Sequence, residues 1–251
     1  MAYKLAYSGL FWEAPDLERE LAALQAAGWD GWEVRQPLDW LGTPGRGRKL
    51  CERFGVEIAA VCGPNATLSV DDPSHQINKR RIEFAAELGV ETFMTKGPGR
   101  GQRVCSDQEL DQMAAVYEDL AAYGDTLGVC VTFHPHINHL VNSEDEWKRF
   151  MQRLNACMLC LDMSHAVHWG YDPVQAVHDF TSRIAYVHLH DFKDGKTVEL
   201  GDGPMCDYAA FMGALERVGF TGWVTVCPGE AERTEEEKMR INRAYMRSIG
   251  Y

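Results

Sequence analysis

The feature that most constrains the fold is a regular alternation of short apolar runs with longer segments of helical period. The predicted strands are residues 4–8, 31–35, 57–62, 91–96, 129–134, 157–162, 184–190 and 222–227. The segments between them repeat their apolar residues every three or four positions, and several end on a glycine, as helix C-caps do. Strands that alternate with helices predict a parallel sheet joined by crossover helices.

The length of the chain favours closing that sheet into one barrel. The chain has 251 residues, with no Pro/Ser-rich linker and no shift in composition, and barrels of eight strands and eight helices are usually of this size. We therefore predict that residues 1–251 form a single α/β domain, a (β/α)8 TIM barrel. An open doubly wound sheet is the alternative, but residues 8–15 are not the glycine-rich phosphate turn that such sheets carry after the first strand.

Charge and composition exclude several classes of function. The net charge is −12, which argues against binding a nucleic-acid backbone. No run of eighteen apolar residues predicts a membrane span, and the first residues read as a strand without the apolar core of a signal peptide. The eight cysteines are scattered, so we expect reduced thiols in a cytoplasmic protein. Cys157 and Cys160 should point to opposite faces of one strand.

Residues that bind metals stand at the ends of four predicted strands. His134, Asp162, His188 and Cys227 each follow or end an apolar run. The carboxyl ends of parallel barrel strands meet on one face, so these side chains should converge. Two imidazoles and a carboxylate, with or without a thiolate, suit Mn²⁺, Fe²⁺, Co²⁺ or Zn²⁺. We predict a divalent metal site made by these residues, with Cys227 or Glu230 as the fourth ligand.

These strand ends resemble the sugar phosphate isomerase/epimerase superfamily, the xylose-isomerase-like TIM barrels, over essentially the whole chain. The run 159–166 (LCLDMSHA) resembles the family's sixth-strand motif, whose Asp binds metal, and the run 186–192 (YVHLHDF) resembles the seventh-strand motif, whose His is a ligand. The run 219–226 (GFTGWVTV) resembles the approach to the eighth strand. The run 127–136 (LGVCVTFHPH) resembles the fifth strand of a subgroup similar to inosose dehydratase.

The resemblance also has a clear departure. In typical epimerases of the family, glutamates end the fifth and eighth strands, where they bind metal and act as the two proton-transfer bases. His134 and Cys227 occupy these places here. The two glutamate bases of the typical epimerases are therefore missing at these positions. Metal binding is still possible there, because His and Cys are competent ligands.

Three residues are candidates for proton transfer. His136, two residues after His134, could act as a base near neutral pH or lie in an exposed loop. Lys96 could donate to a developing alkoxide, bind a phosphate or carboxylate of the substrate, or be a solvated lysine. Glu33 could replace the missing carboxylate base if it points inward, or could only pair with Lys or Arg.

Other residues are candidates for substrate binding. His165 follows Asp162 by one irregular turn and could orient a ligand or a water, and His190 could face the barrel mouth. Phe11 and Trp12 directly follow the first strand and could form a wall against the C–H surface of a sugar. The glycine-rich loop 96–102 could cover the substrate or only connect two elements.

The leading functional hypothesis is a divalent-metal-dependent isomerase or epimerase of carbohydrate metabolism that acts on a keto-sugar or keto-cyclitol through a metal-stabilised enediolate. A dehydratase that uses the same enolate is supported almost as well as the isomerase or epimerase. A non-haem Fe(II) oxygenase and a non-catalytic family member are further alternatives, whereas a multi-zinc abasic-site endonuclease conflicts with the acidic charge.

The expected partner is a small sugar or cyclitol, with no nucleic acid and no membrane. Tyr245 and Met246 on the last helix could pack against a second subunit or close the barrel.

Overall fold

The computed structural model describes residues 3–13, 16–101, 104–203 and 205–251. The first two residues of the N-terminal segment that was predicted to lead into a strand lie outside these ranges. So do residues 14–15, at the start of the first predicted helix, and Gln102, at the end of the glycine-rich loop.

Eight parallel strands form the centre of the molecule. They are β1 (Leu5–Ser8), β2 (Gly31–Val34), β3 (Glu57–Cys62), β4 (Thr92–Lys96), β5 (Cys130–His134), β6 (Met158–Asp162), β7 (Ile184–Leu189) and β10 (Trp223–Val226), while β8 (Asp191–Lys193) and β9 (Lys196–Val198) form a separate antiparallel hairpin. The parallel strands close in the order β1-β10-β7-β6-β5-β4-β3-β2. The predicted (β/α)8 TIM barrel is therefore confirmed.

Helices cover the outside of the barrel. They are α1 (Leu17–Ala27), α2 (Pro44–Phe54), α3 (Pro73–Leu88), α4 (Asp107–Thr126), α5 (Glu144–Met151), α6 (Met163–His168), α7 (Pro173–Asp179), α8 (Tyr208–Arg217) and α9 (Glu235–Ser248). Gly28, Gly55 and Gly89 end the first three helices with φ angles of 85°, 63° and 81°, a conformation that glycine adopts without steric cost. Within the described ranges, no helix is long and apolar enough to cross a membrane.

Two local elements differ from the sequence-based expectation. The residues after Asp162 form the helix α6 and not an irregular turn, because the Asp162 side chain caps the first turn of that helix. The hairpin β8–β9 follows β7 directly. Its turn contains Asp194 and Gly195, both with positive φ, which is the sequence signal of a two-residue hairpin turn.

The strands separate two apolar layers. The barrel interior contains small and medium side chains, among them Ala6, Ala60 and Cys160. Outside the sheet, Phe133 of β5 packs between Tyr117 and Phe150, with ring centroids 5.3 and 4.6 Å apart. Cys157, directly before β6, belongs to this outer core, so the two cysteines of the C-x-x-C lie on opposite sides of the sheet, as predicted. All eight cysteines are free thiols.

Helix α9 closes the barrel by packing on the first helix. The Trp29 indole N–H donates to the Met239 carbonyl at 3.2 Å, and Arg243 donates to the Gly28 carbonyl at 2.8 Å. Met246 is buried and Tyr245 packs edge-on against Tyr208. These contacts direct both residues that were considered for a subunit interface toward the chain's own core.

The aromatic cluster around Phe133 gives a prediction for stability. Phe133 is 1% exposed, so Phe133→Ala should lower the free energy of unfolding by about 3–5 kcal/mol, because a large cavity replaces the ring. Urea denaturation followed by circular dichroism measures the change. Leu127→Ala removes a side chain that is 38% exposed and should change stability by no more than about 0.5 kcal/mol. Equal effects of the two substitutions would contradict the packing described here.

Candidate metal centre

A cavity of about 370 Å³ opens at the carboxyl ends of the barrel strands. Two of the predicted site residues, Glu33 and Trp12, do not line it. The others do, and they are Phe11, Lys96, His134, His136, Asp162, His165, His188, His190, Cys227 and Glu230. The convergence of residues that are far apart in sequence follows from the parallel direction of the strands, which end on the same face.

Asp162 lies at the centre of the polar cluster in this cavity. It ends β6 and caps α6, so its Oδ1 accepts the backbone N–H groups of Ser164 and His165 at 3.0 and 3.3 Å. The Ser164 hydroxyl also donates to Oδ1. Burial alone would raise the pKa of Asp162, but the neighbouring imidazoles of His165 and His190 hold it well below its ordinary value. Asp162 is therefore an ionised carboxylate with one oxygen fixed by the helix.

Four imidazoles surround the other oxygen of Asp162. The Nε2 atoms of His134 and His190 each lie 3.0 Å from Oδ2, the Nε2 of His165 lies at 3.4 Å, and the Nδ1 of His188 lies at 3.8 Å. Burial lowers the pKa of His134 and of His165 well below the ordinary value. These two rings are therefore neutral at physiological pH, and each has one nitrogen lone pair.

Glu33 orients His188 from the other side. Its Oε2 lies 2.6 Å from the His188 Nε2, and its Oε1 accepts from the Ser8 hydroxyl at 2.9 Å and from the Arg35 Nε at 2.6 Å. A carboxylate only accepts, so the His188 Nε2 carries a proton, and Nδ1 is the ring nitrogen that faces Asp162. A carboxylate that fixes the tautomer of a histidine in this way is typical of metal-ligating histidines.

Glu33 and His188 form a buried pair, and each residue shifts the pKa of the other. Burial raises the pKa of Glu33, but Arg35 and His188 outweigh it and hold that pKa far below the usual range. Burial opposes a charged His188, yet the Glu33 carboxylate raises the pKa of His188 to about 10 in the protein without metal. Because the pKa of His188 is raised on folding, the pair contributes its full stabilisation of the fold at pH values below the ordinary histidine pKa. This contribution to the free energy of unfolding is lost as the pH rises through about 10.

The cluster fits a divalent cation. Buried polar atoms normally have hydrogen-bond partners, but His134 Nδ1, His188 Nδ1, His190 Nδ1 and both ring nitrogens of His165 have none. Donor atoms of His134, Asp162 and His165 lie within 4.8 Å of one another. Buried imidazole nitrogens without partners, gathered around one carboxylate, are the kind of donor set that binds a metal ion. Asp162, His134, His165 and His188 would hold such an ion.

The two predicted fourth ligands, Cys227 and Glu230, lie in different parts of the cavity. Among the described residues, the thiol within 4.8 Å of the His134 and His188 nitrogens is that of Cys160, two residues before Asp162 on β6. Cys227 contacts His188 and contributes to its raised pKa. Glu230 is exposed, and its Oε1 accepts from the Thr197 hydroxyl of the hairpin at 3.2 Å. Cys227 and Glu230 therefore border the cavity, the first beside His188 and the second at the rim.

His136 and Lys96 lie next to the cluster. The His136 Nδ1 lies 2.8 Å from the Ile137 carbonyl, so Nδ1 is protonated and Nε2 carries the lone pair. Burial, together with the Lys96 charge, lowers the pKa of His136 to about 3. Burial and the nearby Arg35 also lower the pKa of Lys96 from its ordinary value. The cavity thus contains a neutral imidazole and a half-buried amine.

Two aromatic residues that were predicted to form one wall differ in position. Phe11 is 43% exposed at the cavity mouth, with the Lys238 ammonium 4.8 Å from its ring centroid. Trp12 is buried and stacks on Trp32 at 4.9 Å. The described part of the glycine-rich loop is fixed to the loop after β5, since the Arg100 N–H donates to the Asn138 carbonyl at 3.0 Å.

Sequence reasoning missed three residues of the site. Arg35 lines the cavity and pairs with Glu33, and the spacing of two within one strand could have indicated this, because such residues share a face. Ser164 donates to Asp162 and contacts His190. Cys160 was recognised only as a strand residue.

Fold and site together define a TIM barrel with a histidine-rich, carboxylate-centred cluster on the face where barrel enzymes carry their active sites. The profile of the xylose isomerase-like TIM barrel family matches residues 21–249. The chain belongs to that family.

Among similar proteins, an inosose dehydratase of Geobacillus kaustophilus is 29% identical over 201 residues, which cover 72% of this chain and 57% of that protein. An inosose dehydratase of Clostridium perfringens is 23% identical over 246 residues, covering 87% and 80%. The solved structure of L-ribulose 3-epimerase superposes with a TM-score of 0.84 at 20% identity, covering 99% and 94%. D-allulose 3-epimerase from Methylomonas sp. in complex with D-allulose gives 0.82 at 17% identity, covering 98% and 97%. These two structures share the fold.

The contact between Glu33 and His188 gives a prediction for titration. In Glu33→Gln, the pKa of His188 should fall well below its wild-type value of about 10, because the burial of the ring is then no longer opposed by the Glu33 carboxylate. Nitrogen-15 NMR of the histidine rings in metal-stripped protein measures this value. Glu230→Gln removes a carboxylate at the rim and should leave the His188 pKa unchanged. A His188 that titrates identically in wild type and Glu33→Gln would show that the pair does not form.

Proposed function

We propose that this protein is a metal-dependent dehydratase that removes water from a keto-sugar or keto-cyclitol after abstracting a proton next to the carbonyl. The observation that carries the proposal is the cluster of Asp162 with His134, His165 and His188, which faces a cavity that also contains the neutral imidazole of His136. The relatives whose names give inosose as the substrate support this reaction and this substrate class.

The ligand set supports binding of a borderline metal ion. A divalent ion held by Asp162, His134, His165 and His188 would polarise a carbonyl oxygen and stabilise the negative charge that develops on it. Because nitrogen donors outnumber carboxylates, the set favours Zn²⁺, Co²⁺ or Fe²⁺ over Mg²⁺. Glu33 supports this role by holding the proton on His188 Nε2, so that Nδ1 is the nitrogen that would bind the ion.

His136 is the best candidate for the base. Its Nδ1 proton is directed at the Ile137 carbonyl, so the Nε2 lone pair is available to accept a proton from the carbon next to the carbonyl. Because its pKa of about 3 makes this ring a weaker base than the expected near-neutral histidine, the proton transfer depends on the acidity that a bound ion would give that carbon. The electrons of that C–H bond then form a carbon–carbon double bond as the bond to the neighbouring hydroxyl breaks. The imidazolium returns the proton to the departing hydroxide, which leaves as water. One group therefore serves as both base and acid.

The need for a single base distinguishes this reaction from epimerisation. Epimerisation at a carbon requires that a proton leave one face and arrive at the other, so it uses a second base opposite the first. The positions that would carry a pair of opposing carboxylates are occupied by His134 and Cys227. Isomerisation between an aldose and a ketose needs one base and stays the second candidate.

The reaction products test this proposal. We expect the protein supplied with Zn²⁺, Co²⁺ or Mn²⁺ to convert keto-inositol to a product that has lost one water and absorbs in the ultraviolet as a conjugated ketone or dione. His136→Gln should lower kcat by about 10²–10⁴-fold, the usual worth of a general base. Mass spectrometry and absorbance measure the two effects.

A matched histidine provides the control. His139 lies next to His136, with ring centroids 4.7 Å apart, but it does not line the cavity, so His139→Gln should retain kcat within about threefold, as expected for a residue outside the reacting atoms. A product of unchanged mass would replace the dehydratase with the isomerase, and equal activity of wild type and His136→Gln would remove His136 from the mechanism.

A further inference from the structure

Two cationic side chains line the part of the cavity formed by β2 and β4. Arg35 directly follows β2, which lies across the barrel from β6 and Asp162, and Lys96 ends β4. Both line the same cavity as the imidazole cluster. In a chain with a net charge of −12, two cations inside one cavity are a local exception that needs a physical reason.

Lys96 has no counter-ion. It is half-buried, and in the part of the chain that the structure describes its ammonium has no hydrogen-bond or ion-pair partner. A cation withdrawn from water without a partner is costly, and proteins retain such groups where a ligand completes the pair. Burial and the charge of Arg35 already lower the pKa of Lys96, which shows the mutual repulsion that an anion would relieve.

Arg35 is only partly neutralised. Its Nε donates to Glu33 Oε1 at 2.6 Å and to the Ser8 hydroxyl at 2.9 Å, while its two terminal amino groups have no hydrogen-bond partner among residues 3–13, 16–101, 104–203 and 205–251. Glu33 is shared with His188. One carboxylate therefore serves two partners, and the terminal guanidinium groups remain available to a ligand.

Building on the proposed function, we infer that the substrate carries a carboxylate, which Arg35 and Lys96 bind at the β2–β4 wall while the carbonyl lies at the imidazole cluster. The substrate class is thus a keto-sugar acid. The terminal amino groups of a guanidinium match the two oxygens of a carboxylate, and one negative charge offsets the unpaired ammonium of Lys96.

The position of the cations favours a carboxylate over a phosphate. In TIM barrels, phosphate groups are usually bound by the loops after the seventh and eighth barrel strands. These strands are β7 and β10 here, and the segments after them contribute the hairpin and Glu230, whose carboxylate would repel a phosphate. The cations are on β2 and β4, and Lys96 is paired in register with His134 of β5, so the acid group should lie on the β2–β4 side of the imidazole cluster.

Three ketoses that differ only at carbon 6 test this inference. D-fructose is neutral, D-fructuronate has a carboxylate at that carbon, and D-fructose 6-phosphate has a phosphate there. Isothermal titration calorimetry measures their affinities for the protein with its native metal content. The variants are Lys96→Gln, which removes the charge, Lys96→Arg, which keeps it, and Lys49→Gln, which removes the charge of an exposed lysine on α2.

We expect D-fructuronate to bind about ten- to a hundredfold more tightly than D-fructose, the usual gain from charge-assisted hydrogen bonds. Lys96→Gln should abolish this difference without changing the affinity for D-fructose, whereas Lys96→Arg and Lys49→Gln should preserve it. Added salt should weaken binding of the acid alone.

Three outcomes would overturn the inference. Equal affinities for the three sugars, or no detectable binding of either anion, would exclude an anion-binding wall. Tighter binding of D-fructose 6-phosphate than of D-fructuronate would replace the carboxylate with a phosphate. An equal loss of affinity for all sugars in Lys96→Gln would give Lys96 a role at the neutral part of the substrate. Dehydration of neutral keto-inositol tests the proposed function separately, so either hypothesis can fail alone.

Discussion

The Asp162 carboxylate is the interaction on which the arrangement of the site depends. It belongs at once to the end of a barrel strand and to the N-terminus of a helix, so its Oδ1 is fixed by the backbone of α6. Its Oδ2 is then directed into the cavity, where four imidazoles lie within 3.8 Å. A rigid anion surrounded by imidazoles concentrates potential metal ligands at one point. The barrel supplies this geometry because strands β5, β6 and β7 are neighbours and Asp162 is paired in register with His188.

The buried network of Glu33 joins this cluster to the far wall of the barrel. Glu33 uses one oxygen for Ser8 and Arg35 and the other for His188. It therefore fixes a ring of the imidazole cluster and a guanidinium of the β2–β4 wall with a single side chain. Glu33 is fully buried, and both its oxygens are engaged. The structure thus supports a positioning role for this residue, with proton transfer left to groups that reach the cavity.

The sequence predicted the barrel and most of the cavity lining for a clear physical reason. Strand–helix alternation requires parallel strands, and parallel strands place residues such as His134, Asp162 and His188 on one face. The contacts within that face depend on χ angles and on the bulge-like register shift between Leu159 and Cys160, which periodicity does not encode. For the same reason the pairing of Glu33 with His188, 155 residues later, and the stacking of Trp12 on Trp32 became visible only in the folded chain.

The claim that the imidazole cluster is a metal centre is tested most directly by X-ray absorption spectroscopy of zinc-loaded protein, with the metal content measured by elemental mass spectrometry. We expect about one zinc per chain, with nitrogen or oxygen ligands at about 2.0–2.2 Å and scattering from at least two imidazoles. His188→Ala should lose one imidazole and much of the bound zinc, whereas Cys227→Ser should leave both signals unchanged. Protein that binds no zinc, or zinc whose ligand shell contains no imidazole, would contradict the account.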